Sequence, residues 1–328
     1  MAVRRVLLYF AWSRPGEAGA PYLVIDDRFP AIFELRRLFY PAFEPLADPA
    51  AADQGIAGFL DHVQKPNFAV FAEQMSVETA RATIQIERVA DDGFVTALDE
   101  AILSRVDTVV VISFDSFRTG QSATEAEVAA VRHFLQDPDH LIFVCPHHDI
   151  GEAYGVAADM IGDRRVAEHL HHGDKAIPPR QGFGGFARSL LAGLGVPVEN
   201  CFGLHPASEA DGAPSPIDAE RGLDRLRLLE SVETFNLHAH LPQLERTGGG
   251  LERLDVLARQ RIDMTMPPHP FTADGRDRFD ALLQSTEAAF PGTLLVCDTT
   301  MFSSTAGGVD SLRRLWSNIA RRAVRSGN

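Results

Sequence analysis

Short runs of apolar residues divide the chain into predicted strands of a buried sheet. Val6–Trp12 is almost continuously apolar, and Val106–Phe114 is the run richest in β-branched residues. Strands that are covered on both faces show such runs rather than an alternation of apolar and polar positions. Leu141–Val144 and Thr293–Asp298 have the same character. The four runs predict an α/β protein with a mostly parallel sheet.

A helix is predicted between the second and third of these strands. Thr124 and Glu127 have the spacing of a capping box, in which each side chain accepts from the backbone amide of the other residue. The helix predicted over Glu125–Leu135 follows, and a turn at 137–139 leads into the strand Leu141–Val144. A strand, a helix and a second parallel strand form a right-handed crossover.

Weaker patterns predict the remaining elements. Thr234–Leu241 alternates strictly, which predicts a strand with Asn236, His238 and His240 on one face. The other predicted elements are strands over Phe68–Phe71, Thr83–Val89 and Arg261–Met266, and helices over Phe29–Phe43, Asp92–Ser104, Arg276–Phe290 and Val309–Val324. Residues 151–230 are rich in Gly, Pro and His, and we interpret them as a loop-rich insertion over the site within a single domain, 1–328.

Charge and cysteine content limit the classes of binding partner and the cellular compartment that are expected. The 328 residues include 31 basic and 45 acidic side chains, which gives a net charge of −14. Nucleic acid is not expected as a partner, because binding phosphates requires clustered Lys and Arg. No apolar run approaches the about 18 residues of a membrane span, so no membrane partner is expected. Three cysteines without a C-x-x-C pair, and a start unlike a signal peptide, favour a cytoplasmic protein.

The candidate chemistry is concentrated after the strand Leu141–Val144. The residues there are Cys145, Pro146, His147, His148, Asp149 and, beyond Gly151, Glu152. In open α/β sheets, ligands and reacting groups lie at the carboxyl ends of strands. Cys145 is therefore a candidate nucleophile, with a buried structural thiol as the alternative, and Asp149 and Glu152 are candidate general bases.

Two other carboxylates follow predicted strands. Asp115 follows Val106–Phe114 and can line the same crevice. Asp298 ends the last predicted strand, and we interpret it as a cap for the amides of the next turn.

The histidines predict a metal site. His147 and His148 follow a strand, His238 and His240 have the i, i+2 spacing of one strand face, and His269 lies between prolines. Imidazole and carboxylate groups are ligands for Zn, Fe or Mn. Because adjacent residues of an extended chain point to opposite sides, only one of His147 and His148 is expected at a given site. Ordinary loop or surface histidines are the alternative.

Two stretches resemble the class I glutamine amidotransferase-like superfamily. One contains T-E-A-E-V-A-A-V-R-H-F-L and F-V-C-P-H-H-D-I-G, and the other contains G-T-L-L-V-C-D-T-T-M-F-S-S and G-G-V-D-S-L-R-R-L-W-S-N-I-A. The second is similar to the trehalose-utilisation-like and gliding-motility-associated branches. The resemblance implies a flavodoxin-like, mostly parallel sheet with helices on both faces, and it places the nucleophile of a true amidotransferase at Cys145.

The chain departs from the amidotransferase pattern at two points. Pro146 stands where the residue after the nucleophile donates a backbone N–H to the oxyanion, and proline has no N–H. His269-Pro270-Phe271 stands where the family has His-Pro-Glu. We therefore expect a metal-dependent hydrolase of a small polar molecule. The alternatives are a non-catalytic binding protein, which the altered triad favours, and a thiol enzyme acting through Cys145. A homodimer is possible for such a sheet.

Overall fold

An eight-stranded sheet organises the protein. The computed structural model describes residues 4–17, 65–116, 119–148, 157–173, 182–303 and 309–323. The strands of the sheet are β1 (Val6–Ser13), β2 (Ile84–Val89), β3 (Thr108–Ser113), β4 (Leu141–Pro146), β7 (Asp218–Ala219), β10 (Leu254–Arg261), β11 (Arg278–Ser285) and β12 (Thr293–Cys297). Two small sheets pair β5 (Val198–Glu199) with β9 (Glu245–Arg246) and β6 (Gly203–Leu204) with β8 (Leu241–Pro242).

The helices vary from one turn to about four turns. They are α1 (Arg14–Glu17), α2 (Lys65–Thr79), α3 (Glu100–Leu103), α4 (Glu125–Phe134), α5 (Ile161–His172), α6 (Gly185–Leu194), α7 (Gly250–Arg253) and α8 (Val309–Arg321). Short 3₁₀ helices lie at Ala158–Met160, Pro270–Thr272 and Thr299–Phe302. Across the described ranges, every helix is too short or too polar to cross a membrane.

The strand order of the sheet is β2-β1-β3-β4-β12-β11-β10-β7. The first five strands are parallel to one another. With β12 counted as the fifth strand, this is the flavodoxin-like order 2-1-3-4-5. The last three strands extend the sheet through antiparallel pairs. The predicted α/β class with a flavodoxin-like, mostly parallel sheet is confirmed.

Helices cover both faces of the sheet because the central strands are apolar on both sides. Along β1, Leu8 and Phe10 face one apolar cluster, which includes Phe71 of α2 and Trp316 of α8. The alternate residues of β1 face a second cluster, to which α4 and α6 contribute. The continuous apolar run of β1 is thus explained by burial on two faces.

The strongest sequence signals are confirmed. The strands β1, β3, β4 and β12 and the helices α4 and α8 lie where they were predicted. The capping box is present in full, since Thr124 accepts from the amide of Glu127 and Glu127 accepts from the amide of Thr124. The predicted helix over Phe29–Phe43 lies outside the described residues. The single-domain organisation with an insertion at 151–230 stays a prediction.

Four weaker predictions are wrong. Phe68–Phe71 belongs to α2, because Phe68, Phe71 and Met75 recur at helical spacing on its buried face. Within Asp92–Ser104 only α3 is helical. Arg276–Phe290 holds the strand β11 rather than a helix, because a short buried run cannot be assigned from its period alone. Arg261 ends β10, so no separate strand covers Arg261–Met266.

The predicted strand over Thr234–Leu241 is also wrong, although its alternation is strict. The segment is irregular up to β8, and its backbone groups bond to side chains instead of a partner strand. The amide of His238 donates to Asn236 Oδ1 (3.1 Å), and the carbonyl of Asn236 accepts from Gln260 Nε2 (3.0 Å). Asn side chains compete for backbone groups in this way, and here the competition replaces the ladder.

Candidate metal centre

The candidate site lies where the neighbouring strands β4 and β12 end. The two strands are parallel and in register, with Val144 beside Val296. His147 and His148 follow β4, and Asp298 follows β12. Because both strands end at the same edge of the sheet, these three side chains meet there, at the carboxyl edge where open α/β sheets bind ligands.

His147 is held by the turn after β12. Its Nδ1 lies 3.3 Å from Asp298 Oδ2 and 3.1 Å from Thr299 Oγ1. These two contacts hold the His147 ring beside the Asp298 carboxylate. Burial alone would raise the pKa of Asp298, but His147, His238 and the Thr300 hydrogen bond outweigh it, so the net pKa lies below 3.8. Asp298 therefore stays charged.

Asp298 also acts as the predicted cap. Its Oδ1 accepts from the backbone N–H of Thr300 (2.8 Å) and from the Thr300 hydroxyl (2.5 Å). One carboxylate oxygen thus holds the turn while the other faces His147. The cap interpretation was sound but incomplete, because the sequence does not show that β12 lies beside β4.

His148 is the most unusual side chain of the site. It is 3% exposed, and neither ring nitrogen has a hydrogen-bond partner among the residues that the structure describes. Burial, followed by the neighbouring rings of His147 and His240, lowers its pKa well below 6.5, so the ring is neutral. A buried polar atom without a partner costs about 1–3 kcal/mol. The imidazole therefore offers a lone pair that the protein itself leaves unused.

His147, His148 and Asp298 can together hold a metal ion. One ligand atom from each lies within 4.8 Å of the other two, and all three residues are buried. In the described part of the chain, no other group of three or more His, Cys, Asp or Glu meets this criterion. The rings of His147 and His148 have centroids 4.1 Å apart, so the expectation that only one of them reaches the site is wrong. The strand β4 ends at Pro146, so the alternation of side chains along a strand does not apply to His147 and His148.

His238 and His240 flank this group. The ring centroid of His238 lies 5.8 Å from those of both His147 and His148, and His240 lies 5.2 Å from His148. His172 of α5 adds a ring 4.2 Å from His240. Desolvation, and then the neighbouring rings, lower the pKa of His238 to about 3. The structure thus gathers the predicted pair around the candidate ligands.

His269 lies in a second group of ionisable residues. Its Nε2 is 3.3 Å from Glu168 Oε1, and its Nδ1 accepts from the amide of Phe271 (3.0 Å). The neighbouring His171 donates from Nδ1 to the carbonyl of Pro267 (2.8 Å) and accepts at Nε2 from the amide of His205 (3.1 Å). Each ring nitrogen of His269 and His171 therefore has a hydrogen-bond partner within the protein. His269 is not part of the three-residue metal group.

Cys145 is fully buried against a second thiol. Its Sγ lies 3.7 Å from Cys297 Sγ. Burial, the Cys297 thiol and Asp298 raise the pKa of Cys145 well above 9, so the nucleophilic thiolate is disfavoured. The candidate bases Asp149 and Glu152 lie outside the described residues.

Two residues outside the predicted set of site residues shape the backbone at the site. Asn200 is fully buried and donates from Nδ2 to the carbonyls of His147 and Phe183. Gly184 has a φ of +79°, and a Cβ there would lie 2.8 Å from Cβ of Pro146. Gly184 is the N-cap residue of α6. No local pattern marks Asn200, since its partners are distant in the chain.

Asp115 also lies at this edge of the sheet, after β3. It accepts from the Ser113 hydroxyl (2.5 Å) and from the amide of Phe186 at the start of α6 (3.0 Å). Burial raises its pKa to about 7, against the lowering effect of these hydrogen bonds. Its contacts are those of a helix cap.

Comparison with protein-family models found no match, and comparison with curated protein sequences found none.

Proposed function

We propose that the chain is a metal-dependent hydrolase of a small polar substrate, built on the glutamine amidotransferase-like fold. His147, His148 and Asp298 hold the ion. The observation that carries the proposal is His148, a buried neutral imidazole whose two ring nitrogens have no hydrogen-bond partner within the described ranges. Buried polar atoms are almost always satisfied, and a cation between the three side chains satisfies one of these nitrogens.

The ligand set favours Zn, Fe or Mn. Two imidazoles and one carboxylate suit these borderline ions, and three protein ligands leave a coordination position open, as in catalytic zinc sites. A bound ion supplies a Lewis acid that lowers the pKa of a coordinated water. The protein excludes bulk solvent around His148 and orients His147 through Asp298. Asp149 and Glu152 remain the proposed proton-transfer groups.

The superfamily relationship is supported by the 2-1-3-4-5 order of the parallel strands. Glutamine hydrolysis is not proposed with it. The buried thiol of Cys145 is held protonated, and Pro146 removes an oxyanion donor that is typically worth about 3 kcal/mol. The proposed superfamily relationship therefore supports a site at the ends of the parallel strands, but it does not support amidotransferase chemistry there.

The metal is tested by elemental analysis of tag-free protein. We expect near-stoichiometric Zn, Fe or Mn in the native protein, and loss of the metal in His148→Ala and Asp298→Asn. His133→Ala is the matched control, because His133 is an exposed histidine on α4. A native protein that neither contains nor takes up any of these ions contradicts the proposal.

Hydrolysis is tested separately, on a panel of chromogenic esters, amides and phosphate esters. We expect turnover that is lost when a chelator strips the metal and is restored when the metal is added back. Full turnover by the stripped protein contradicts metal-dependent hydrolysis. Stoichiometric metal with no turnover of any member of the panel favours the non-catalytic binding protein.

A further inference from the structure

His238 differs from the two imidazoles of the metal group, although it lies beside both. It is half-buried, whereas His148 is fully enclosed. Its position next to the ligands raises the question of whether it binds the ion or something that the ion binds. The hydrogen bond at Nδ1 of His238 decides between these two roles.

The backbone fixes the tautomer of His238. The amide N–H of His240 donates to His238 Nδ1 over 3.2 Å. An imidazole nitrogen that accepts a hydrogen bond carries no proton, so the neutral ring carries its proton on Nε2. A protonated Nε2 is a donor and cannot bind a cation. In the described part of the chain, no group accepts a hydrogen bond from this Nε2–H.

Asn236 fixes the backbone of His238 relative to the metal group. Its Oδ1 accepts from the amide of His238 (3.1 Å), and its Nδ2 donates to Thr300 Oγ1 (3.1 Å). The Thr300 hydroxyl in turn donates to Asp298 Oδ1. A chain of hydrogen bonds therefore joins the His238 backbone to a candidate ligand, and its central residue, Asn236, is fully buried.

We propose that His238 is a substrate-binding residue whose Nε2–H donates a hydrogen bond to a carboxylate or acyl oxygen of a molecule bound at the metal. This inference rests on the proposed metal centre and assigns the substrate class: a small molecule that carries an oxygen acceptor. A fixed neutral donor at this position also favours negative charge that develops on that oxygen during hydrolysis. It gives His238 a role different from the ligand role predicted from the sequence.

The experiment uses cobalt(II) and acetate as probes. Apoprotein is titrated with cobalt(II), and the loaded protein is then titrated with acetate, while visible absorption and calorimetry report each step. We expect His238→Ala to bind cobalt within about threefold of the native protein and to bind acetate about tenfold more weakly, the equivalent of about 1.4 kcal/mol. His238→Asn keeps an N–H donor and is expected to recover part of the acetate affinity. His133→Ala is the control for both steps.

Each contrary result has a distinct meaning. Loss of cobalt in both His238 variants, with folding intact by circular dichroism, makes His238 a ligand and overturns this inference alone. Unchanged acetate affinity in His238→Ala, or no acetate binding to the loaded native protein, also overturns it alone. A native protein that takes up no cobalt overturns the metal centre and this inference together.

Discussion

Two groups of buried histidines lie in the described part of the chain, and the hydrogen bonding of their ring nitrogens distinguishes the groups. His269 and His171 have protein partners at both nitrogens. His148 has none, although it is equally buried. Burial and residue type therefore do not distinguish a structural histidine from a candidate ligand. A ring with both nitrogens satisfied is part of the scaffold, whereas the unsatisfied ring of His148 is the one that we propose binds an ion.

The carboxylates beside the two groups also differ in their protein partners. Glu168 is fully buried and contacts both His269 and Arg164, so its negative charge is paired with side chains of the protein. Asp298 divides its oxygens between a turn and His147. The hydrogen bonds of the His269 group are complete without an ion, whereas the proposed ion would supply the missing partner of His148.

The largest effect is expected from His148→Leu. Leucine fills similar space with no polar atom, so the apoprotein should keep its stability, because an unsatisfied buried group has been removed. Metal affinity should fall by more than about 100-fold, beyond the loss typical of an outer-shell partner. Competition titration with a chromogenic zinc chelator measures the affinity, and urea unfolding measures the stability. Unchanged zinc affinity would remove the distinction between the two groups.

The reverse pattern is expected from His269→Leu. This change leaves Glu168 buried with one partner fewer, so the free energy of unfolding should fall by about 3 kcal/mol. Zinc affinity should stay within a few-fold of native. The same two measurements apply. A variant that keeps its stability but loses zinc would place the metal in the second group.

A pH-dependent effect is expected at Asp115, which belongs to neither group. Its pKa of about 7 lies above the ordinary 3.8, so the folded state binds the proton more tightly than the unfolded state. Stability should therefore fall as pH rises from about 4 to about 7.

Asp115→Asn should remove this loss, so the free energy of unfolding of the native protein relative to the variant should decrease by on the order of a few kcal/mol across that range. Urea unfolding at several pH values measures the difference, with Glu73→Gln on the exposed face of α2 as a control. A constant difference at all pH values contradicts the raised pKa.

The smallest effect is expected from Thr124→Ala, far from both histidine groups along the chain. The change removes the side-chain acceptor of the capping box and should cost about 1 kcal/mol of stability. Zinc affinity should be unchanged, which makes this variant the baseline for a purely local loss. A zinc effect here would show that general destabilisation, rather than lost ligands, lowers affinity in the other variants.

Local patterns in the sequence predicted the strands and helices that are stabilised by residues close together in the chain. The apolar runs of β1, β3 and β4 and the capping box of α4 depend on neighbouring residues, so they could be predicted without knowledge of the fold. The placement of candidate chemistry after β4 followed from the same runs. In contrast, the strand β11 and the helix α2 were misassigned, because short apolar segments adopt the structure that their tertiary neighbours impose.

The sequence by itself therefore determined the parallel sheet, the edge at which chemistry can occur and two of the candidate ligands, His147 and His148. Only the tertiary structure decided that Asp298, 151 residues further along, is the third. It also decided that His269 contacts Glu168. The backbone of the irregular segment before β8 makes Nε2 of His238 the hydrogen-bond donor of that ring. The physical reason is that a ring nitrogen becomes a ligand, a donor or a structural contact through the atom it meets, and most of those atoms come from distant parts of the chain.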